Sequence, residues 1–212
     1  MPKFVDAAVR RQEVVEAVFR NVAADGLERA SLREVAEEAE LAVGSVRHYF
    51  ASSDELLAHS FGVAVDRVVG RLRAADERLA ALQPGSPEHH QGVLTLLGEF
   101  LPLDEERAVD ACVWLAFKNA ARTKPFLAAE ADRSHRAVAA IVGSLVLEVS
   151  SAAGTGAATD QQRLVTEAER LLATMDGLTM HALLQPEWMT AQMCSDVLES
   201  HLSGLGSHAG RH

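Results

Sequence analysis

Apolar residues recur at spacings of three and four along most of the chain. That spacing places apolar side chains on one face of an α-helix, whereas a half-buried strand would alternate apolar and polar residues. The sequence contains no such alternation and no internal repeat, and the helical pattern is interrupted by glycine, proline and short polar stretches. We therefore predict an all-α fold of about nine helices.

The predicted helices begin and end at recognisable signals. Asp25-Gly26 ends the first helix, since glycine favours the position after a helix. Ser31 and Ser52 each precede a glutamate by three residues, the capping-box pattern of a helix start. In chain order, the helices are expected over residues 7–24, 31–39, 43–49, 52–82, 88–100, 104–123, 125–153, 159–184 and 186–202.

The segment from Ser31 to Phe50 carries the most specific pattern in the chain. Two short helical stretches are separated by Glu40-Leu41-Ala42, a plausible turn, and Val46 and Phe50 lie four apart as buried anchors of the second stretch. This arrangement predicts a helix-turn-helix, whose second helix can lie in a DNA major groove.

The order of elements predicts an N-terminal helix-turn-helix head and a larger helical body. We predict a three-helix DNA-binding domain over residues 1–50 and a helical domain over residues 51–202, to which the family resemblance described below assigns regulation and dimerisation. Residues 203–212 are rich in Gly and Ser, and we predict a flexible tail there.

Small and polar residues on and around the second helix are the candidate DNA contacts. Ser45 and Arg47 are expected near base edges, and His48 and Tyr49 near phosphates. The alternative is an ordinary solvated helix with Tyr49 packed against the head. The full candidate set is Ser31, Arg33, Val43, Gly44, Ser45, Arg47, His48, Tyr49 and Ser52.

The charge balance excludes a general nucleic-acid coat. The net charge is −10, and residues 1–50 carry seven Lys and Arg against nine Asp and Glu. DNA binding would therefore depend on where the charges lie, and Arg10, Arg11, Arg33 and Arg47 could share one face. An acidic body also suits a cationic ligand, although acidic surfaces usually confer only solubility.

Other residue patterns limit the remaining classes of function. We predict no catalytic residues, no metal site and no cofactor, because no Gly-x-Ser-x-Gly motif occurs and the adjacent His89 and His90 suit one ion poorly. Cys112 and Cys194 are expected to be reduced thiols in helices. With no secretory signal and no long apolar run, we expect a cytoplasmic protein that is not an enzyme.

Several short motifs in the first quarter of the chain occur together. They are Val14-Val15 with Val18-Phe19, Gly26 before Ser31, Val35-Ala36, Gly44 with His48-Tyr49-Phe50, and Ser52 with Glu55-Leu56-Leu57. As a set they resemble the TetR family of transcriptional regulators. Further motifs at residues 101–107, 113–117 and 176–178 resemble the BetI-like branch of that family.

The sequence departs from the TetR pattern at four positions. Glu40 replaces the turn glycine, and Ala42 replaces the Ser or Thr that caps the recognition helix. Arg47 stands where an aromatic residue is usual, and Ser53 replaces a lysine that contacts phosphate. These changes put the family's DNA contacts in doubt at positions 42, 47 and 53.

The resemblance implies a ligand-responsive repressor that a small-molecule inducer releases from a palindromic operator. The implied partners are double-stranded operator DNA, an effector and a second copy of the chain. One alternative is a small-molecule-sequestering protein or enzyme with a vestigial head, and another is a regulator whose body binds a protein. The implied ligand residues are Phe100, Leu103, Asp110, Trp114, Phe117, Met175 and His181. For each of them taken alone, His181 included, ordinary core packing is the favoured interpretation.

The last two predicted helices carry the candidate dimer interface. The first of them is apolar on two faces, so it needs two partners, of which a second copy of the chain is the simplest. Burial of one stripe within the subunit is the alternative for any single face. The candidate dimer residues are Leu164, Ala168, Leu171, Met175, Leu178, Met193 and Val197.

Overall fold

The computed structural model describes residues 7–152 and 161–207. Within these residues the chain forms nine α-helices and two short 3-10 turns, with no strand, as the sequence predicts. The 3-10 turns are Leu27–Arg29 and Pro125–Leu127. The helices are α1 Ala7–Asp25, α2 Leu32–Glu38, α3 Val43–Tyr49, α4 Ser53–Leu79, α5 Pro87–Gly98, α6 Glu105–Ala121, α7 Ala128–Ala152, α8 Gln161–Leu184 and α9 Ala191–Ser207.

The described residues form two compact units. The first unit comprises the described residues of Met1–Arg67 together with Val109–Arg133. The second unit comprises Val68–Ala108 together with the described residues of Ser134–His212. The first part of α4 and most of α6 therefore belong to the same unit as the predicted head. The functional division after residue 50 stays a prediction.

A buried stripe on α1 organises the core of the first unit. The residues predicted for this stripe, Val14, Val15, Val18, Phe19 and Val22, are all buried. Each of them has another member of the set three or four positions away, so they share one face of α1, and α1 packs against α2. Burial of each such side chain contributes roughly 1.5–3 kcal/mol to folding.

The core of the second unit includes one face of α8. Leu171, Met175 and Leu178 are buried there, and Leu198 and Leu202 are buried on α9, which packs against α8. These residues fill the interior of a single chain. At these positions the α8 stripe is therefore buried within the subunit, which was the alternative to a dimer interface.

The last helix begins later and ends later than predicted. Pro186 lies in a turn, and α9 begins at Ala191 because the Thr190 hydroxyl caps it, accepting a hydrogen bond from the Met193 amide at 3.2 Å. The helix continues to Ser207, beyond the predicted end at Leu202. Residues 208–212 of the predicted tail lie outside the described residues, as do the predicted caps of α8, Thr159 and Asp160.

Both cysteines are free thiols, as predicted: Cys112 is half-buried and Cys194 is buried. Desolvation by burial raises the pKa of each thiol. Among the described residues, none of the helices combines the length and apolar character that a membrane crossing requires.

Candidate functional site

The start of α2 is fixed by a complete capping box. The Ser31 hydroxyl accepts a hydrogen bond from the Glu34 amide at 3.3 Å, and the Glu34 carboxylate accepts one from the Ser31 amide. The Ser31 hydroxyl also donates to that carboxylate at 2.8 Å, the main cause that lowers the pKa of Glu34. Ser31, a predicted phosphate contact, is therefore also the residue that begins α2.

The turn between α2 and α3 carries a strained residue at the predicted position. Glu40 has a φ of 54°, in the left-handed region that glycine occupies at lower cost. The next amide, that of Leu41, donates to the Ala36 carbonyl at 2.8 Å and closes the turn. The Glu40 side chain is exposed, so no tertiary packing requires this residue type at the turn.

The recognition helix α3 has one buried anchor and an exposed polar face. Val46 is buried within α3, and Phe50 is buried immediately after it. Ser45, Arg47 and His48 are exposed on the remaining circumference. The Ser45 and Arg47 side chains make no hydrogen bond or ion pair within the described part of the chain, which leaves both groups available to another molecule.

Gly44 stands on the exposed face without any intramolecular reason for being glycine. A Cβ atom built at this position meets no atom within 4 Å. Val43 and Tyr49 at the two ends of the helix are half-buried, and the Tyr49 ring packs edge-on against His48 at 5.2 Å. The space beside Gly44 is compatible with close approach of a partner's backbone.

The N-terminus of α3 has no side-chain cap. Ala42 occupies the capping position and offers no oxygen to the free amides of the first turn. This confirms that the side-chain cap of α3 is lost, as the sequence predicts. The first-turn amide groups of α3 therefore lack a side-chain cap. They lie at the positive end of the helix dipole, where a phosphate oxygen binds readily.

The two serines at the start of α4, Ser52 and Ser53, have structural partners. The Ser52 hydroxyl, a predicted DNA contact, accepts from the Glu55 amide at 3.1 Å and so caps α4. The Ser53 hydroxyl accepts from the Leu32 amide at 3.4 Å and so links α4 to the start of α2. Arg33, the remaining predicted contact, is exposed on α2.

Acidic groups of the head gather away from α3. A pocket of about 230 Å³ is lined only by residues of α1, α2 and the turn between them, including Asp25, Glu34, Glu37 and Glu38. No residue of α3 lines it.

The four arginines proposed for one face differ in their surroundings. Arg10 pairs with Glu13 at 2.7 Å, and the Arg11 guanidinium lies over the Phe50 ring at 4.8 Å. Arg33 and Arg47 are exposed. Arg11 therefore supports the end of the recognition helix through packing.

Three predicted ligand residues lie along α6 in the first unit. Asp110, Trp114 and Phe117 occupy positions i, i+4 and i+7, and all three are buried. The Phe117 ring stacks on Phe61 of α4 with centroids 5.0 Å apart. Phe117 is therefore a packed core residue in this structure, as the alternative to a ligand contact predicts.

Arg67 on α4, which the sequence analysis did not single out, bridges two helices. Its guanidinium pairs with Glu16 of α1, lies 3.7 Å from the Asp110 carboxylate of α6, and covers the Phe19 ring at 4.8 Å. The only sequence signal was an arginine on a helix with buried apolar neighbours. Asp110 thus faces a cation already, which disfavours it as the partner of a cationic ligand.

The other four predicted ligand residues lie in the second unit. Phe100 and Met175 are buried and Leu103 is half-buried. His181 is exposed, so the interpretation of it as a core histidine is wrong: it lies on a face of α8 that the described residues leave uncovered. Leu103 alone of the four lines a pocket of about 330 Å³ between α5 and α9.

The predicted dimer residues divide into buried and accessible groups. Leu171, Met175 and Leu178 are buried in the core, Ala168 is 9% exposed, Leu164 and Val197 are half-buried, and Met193 is 37% exposed. Other apolar side chains of this region, outside the predicted set of dimer residues, are the more exposed ones. They are Val165 at 50%, Met180 at 45%, Leu184 at 66% and Trp188 at 75%.

Comparison with known proteins agrees with this geometry. Residues 15–59 match the model of the tetR family of bacterial regulatory proteins, and residues 89–207 match the C-terminal domain of BetI-type transcriptional repressors. The HTH-type transcriptional regulator PksA of Bacillus subtilis is 34% identical over 97% of this chain and 94% of that protein.

Solved structures share the fold. A transcriptional regulator from Rhodococcus sp. Rha1 has a TM-score of 0.75 and 28% identity, covering 92% of this chain and 95% of that one. The multidrug binding protein EbrR, in complex with imidazole, has a TM-score of 0.61 and 26% identity, covering 91% and 94%. The chain therefore belongs to the TetR family, with a BetI-type C-terminal domain, and is a transcriptional regulator rather than an enzyme.

Proposed function

We propose that this regulator is a homodimeric repressor that binds a palindromic operator through α3 and releases it when a small molecule binds the helical body. The observation that carries the DNA-binding part is the exposed face of α3. Gly44, Ser45, Arg47 and His48 are exposed there, while Val46 and Phe50 hold the helix from behind. Arginine at such a position suits a guanine edge or a phosphate.

The dimer follows from exposed apolar side chains on and next to α8 and α9. Val165, Met180, Leu184 and Trp188 are each at least 45% exposed, and α8 packs against α9 in the same unit. Large apolar groups that are exposed along a packed pair of helices favour an interface. A two-fold axis through it would present two copies of α3 to the half-sites of a palindrome, spaced about 34 Å apart on B-DNA.

A small-molecule effector is supported by the relatives. EbrR, of the same fold and 26% identical, is a multidrug binding protein. Within the first unit, α6 is tied to the head because Asp110 of α6 faces Arg67, which pairs with Glu16 of α1. A ligand that displaces α6 would therefore alter the support of α1. The residues proposed to respond are Asp110, Trp114 and Phe117.

Titration of fluorescent DNA flanking this protein's own gene tests the proposal. Binding measured by anisotropy at two salt concentrations should be tight, should require both half-sites of a palindrome, and should weaken with salt. Arg47→Ala should weaken it, and the matched control Arg73→Ala, at an exposed arginine of α4, should not. If the protein bound every candidate operator sequence with the same affinity as random DNA, this result would favour the alternative of a vestigial head.

The dimer is tested by Leu184→Asp, with Leu147→Asp on α7 as the control. Both leucines are exposed, at 66% and 47%, and both substitutions add one negative charge. Light scattering coupled to gel filtration should give a monomer for Leu184→Asp only. If both variants remained dimers, the interface would have to lie away from Leu184.

A further inference from the structure

A cleft lies between one face of α5 and one face of α9 in the second unit. The two helices pack together, and His90 Nε2 lies 3.1 Å from Glu199 Oε1. A volume of about 330 Å³ remains between them. On each helix the lining residues have the spacing i, i+3, i+4, i+7 of a single face: Gln91, Leu94, Thr95 and Gly98 on α5, and Ala191, Cys194, Ser195 and Leu198 on α9.

The wall of this cleft is apolar. Leu94, Leu101 and Leu198 line it and are buried, as is the thiol of Cys194. Leu103, which is half-buried, adds a fourth leucine. Such a wall suits the hydrocarbon part of a ligand, and the volume lies at the lower end of the usual range for small-molecule sites.

The charged residues of the lining are one acid and one base, and they face each other. Burial raises the pKa of the Cys194 thiol, so Glu99 and Arg107 are the two lining residues that carry a charge at neutral pH. Arg107 Nη1 lies 3.6 Å from the Glu99 carboxylate and donates to the Gly98 carbonyl at 3.2 Å. Arg107 Nε donates to Asp104 at 2.8 Å. The charges of the lining therefore cancel, and both groups already have partners.

These pairings disfavour a charged ligand. An incoming anion would compete with Glu99 for Arg107, and an incoming cation would compete with Arg107 for Glu99. Arg71 and Arg78 of α4 also lie 4.0 and 3.8 Å from the Glu99 carboxylate, which therefore has further cationic neighbours. A ligand charge placed against the leucines would lose water without gaining an unengaged counter-charge, which is costly. An uncharged ligand avoids that cost.

Uncharged polar groups lie along the same cleft. Gln91 and Thr95 are exposed and Ser195 is half-buried. The Thr95 hydroxyl donates to the Gln91 carbonyl at 2.9 Å, and its oxygen can still accept. Within the part of the chain that the structure describes, the Gln91 side-chain amide and the Ser195 hydroxyl make no hydrogen bond. Both can therefore donate to, and accept from, a neutral polar group of a ligand.

We propose that the α5–α9 cleft binds a small uncharged amphiphile, with a short hydrocarbon chain and one hydroxyl or carboxamide group. The chain packs on Leu94 and Leu198, and the polar group exchanges hydrogen bonds with Gln91 and Ser195. The site goes beyond the proposed function, because it lies outside the residues of the first unit that are proposed to respond to the effector. It shares only Leu103 with the predicted ligand residues and requires no DNA.

Calorimetric titration of the full-length protein at neutral pH, with three probes of equal chain length, tests the class of ligand. Hexanol should bind about tenfold or more tightly than hexanoate and than protonated hexylamine, because either charge must be desolvated without a new partner. Binding of hexanoate or hexylamine as tight as that of hexanol would overturn the proposal. So would the absence of hexanol binding at millimolar concentration.

Glu99→Gln tests the charge argument through a gain of binding. The variant removes the negative member of the lining pair, so the ratio of hexanoate affinity to hexanol affinity should rise by about tenfold. Glu199→Gln is the matched control, since Glu199 pairs with His90, lies outside the lining and loses the same charge. Its ratio should stay that of the unmodified protein. A ratio that is unchanged in Glu99→Gln would overturn the proposal.

A matched pair of threonine variants locates the binding. Thr95 on α5 and Thr166 on α8 are both exposed, and each hydroxyl donates to the carbonyl four residues earlier at 2.9 Å. Thr95→Phe fills the cleft and should lower hexanol affinity about tenfold or more, whereas Thr166→Phe should leave it unchanged. Equal affinity of both variants and the unmodified protein would place hexanol elsewhere and overturn the proposal.

A pair of glutamine variants tests the polar contact with little change of bulk. Gln91→Met should lower hexanol affinity about threefold or more, because it removes a hydrogen-bonding group beside the cleft. Gln192→Met, at an exposed residue of α9 outside the lining, should not. This pair also decides the matter if circular dichroism shows that Thr95→Phe misfolds. Equal hexanol affinity of Gln91→Met and Gln192→Met would then overturn the proposal.

These results are separable from those for DNA binding. Hexanol binding to the free protein decides the cleft, and operator binding without hexanol decides the repressor. A protein that binds hexanol in the cleft but selects no operator would retain the site and lose the proposed function. The opposite result would retain the repressor and remove the site.

Discussion

Arg67 Nη1 lies 3.7 Å from Oδ1 of Asp110, a carboxylate whose residue is only 1% exposed, and the same guanidinium pairs with Glu16. One cation thus serves α1 and α6 at once. Glu16 and Asp110 are coupled through a partner that they share. A buried carboxylate near a guanidinium depends on it, because a buried charge without a partner is costly.

Because Glu16 and Asp110 share this partner, we expect their substitutions to change the free energy of unfolding non-additively. The free energies of unfolding of Glu16→Gln, Asp110→Asn and the double variant should show an interaction energy of about 0.5–3 kcal/mol. The interaction should vanish when the same cycle is made in Arg67→Met. Urea unfolding supplies the measurement. The control is Glu13→Gln with Asp110→Asn, since Glu13 pairs with Arg10 instead and should add within about 0.5 kcal/mol.

The exposed guanidinium of α3 should carry part of operator recognition. Arg47→Ala should cost about 1–3 kcal/mol of binding free energy if the group contacts a base. The salt dependence separates two roles: a phosphate contact lowers the slope against salt by about one, whereas a base contact mainly relaxes sequence preference. Affinities for operator variants at several salt concentrations measure both. An unchanged affinity for every DNA would remove Arg47 from the interface.

Gly44 offers a substitution with opposite effects on stability and binding. Gly44→Ala should stabilise the head by about 0.5–1 kcal/mol, because alanine is the better helix residue and its methyl group meets no atom within 4 Å. The same methyl group should weaken operator binding if DNA approaches this face. Thermal unfolding and anisotropy on one sample test the pair. A variant that is more stable and binds equally well would show that DNA stays away from Gly44.

The turn before α3 should become more stable with glycine. Glu40→Gly removes a left-handed glutamate with φ of 54° and should stabilise the protein by up to about 1 kcal/mol. The reverse change at Gly26, which has φ of 86° and ψ of 174°, should destabilise it by about 1–3 kcal/mol. Chemical denaturation of Glu40→Gly and Gly26→Ala should thus shift in opposite directions.

Acid should destabilise the first unit through His59 of α4. Burial, and then the Arg11 charge, lower the pKa of His59 below its ordinary value, while Glu55 and Asp66 oppose this. The unfolded chain therefore binds the proton more readily, and stability from this group is present above about pH 6.5 and is lost as the pH falls. His59→Gln should show a smaller loss of unfolding free energy between about pH 7 and pH 5.

His201 provides a second case in the other unit. Burial, and then Arg170, lower the pKa of His201 too, so His201→Gln should reduce the acid loss in the same direction. The double variant should lose least. An unchanged pH slope in both single variants would contradict this origin of acid sensitivity.

Local signals in the sequence were sufficient for the helices and the helix-turn-helix. Ser31 and Glu34 form their capping box, the α1 stripe is buried, and Glu40 takes the left-handed turn. These features depend on residues close together in the chain. Spacing and capping rules describe them well for that reason.

Features that depend on distant residues were not predictable in the same way. α8 is apolar on two faces, and spacing alone gave no means to decide that Leu171 faces the core while Val165 is exposed. Arg67 and Asp110 are 43 positions apart, so no local pattern joins them. The pocket between α5 and α9 likewise combines residues that are far apart in the chain, and it depends on how the two helices pack.

The recognition helix has seven residues and no side-chain cap. A helix this short is not stable alone in water, because nucleation costs more than so few hydrogen bonds return. A synthetic peptide of residues 43–49 should therefore be unstructured and unable to select an operator. Transfer of specificity to another regulator requires a host that keeps residues equivalent to Val46 and Phe50 in its core. The solvent-facing positions between them can then be exchanged, so operator preference can diverge among relatives with little loss of stability.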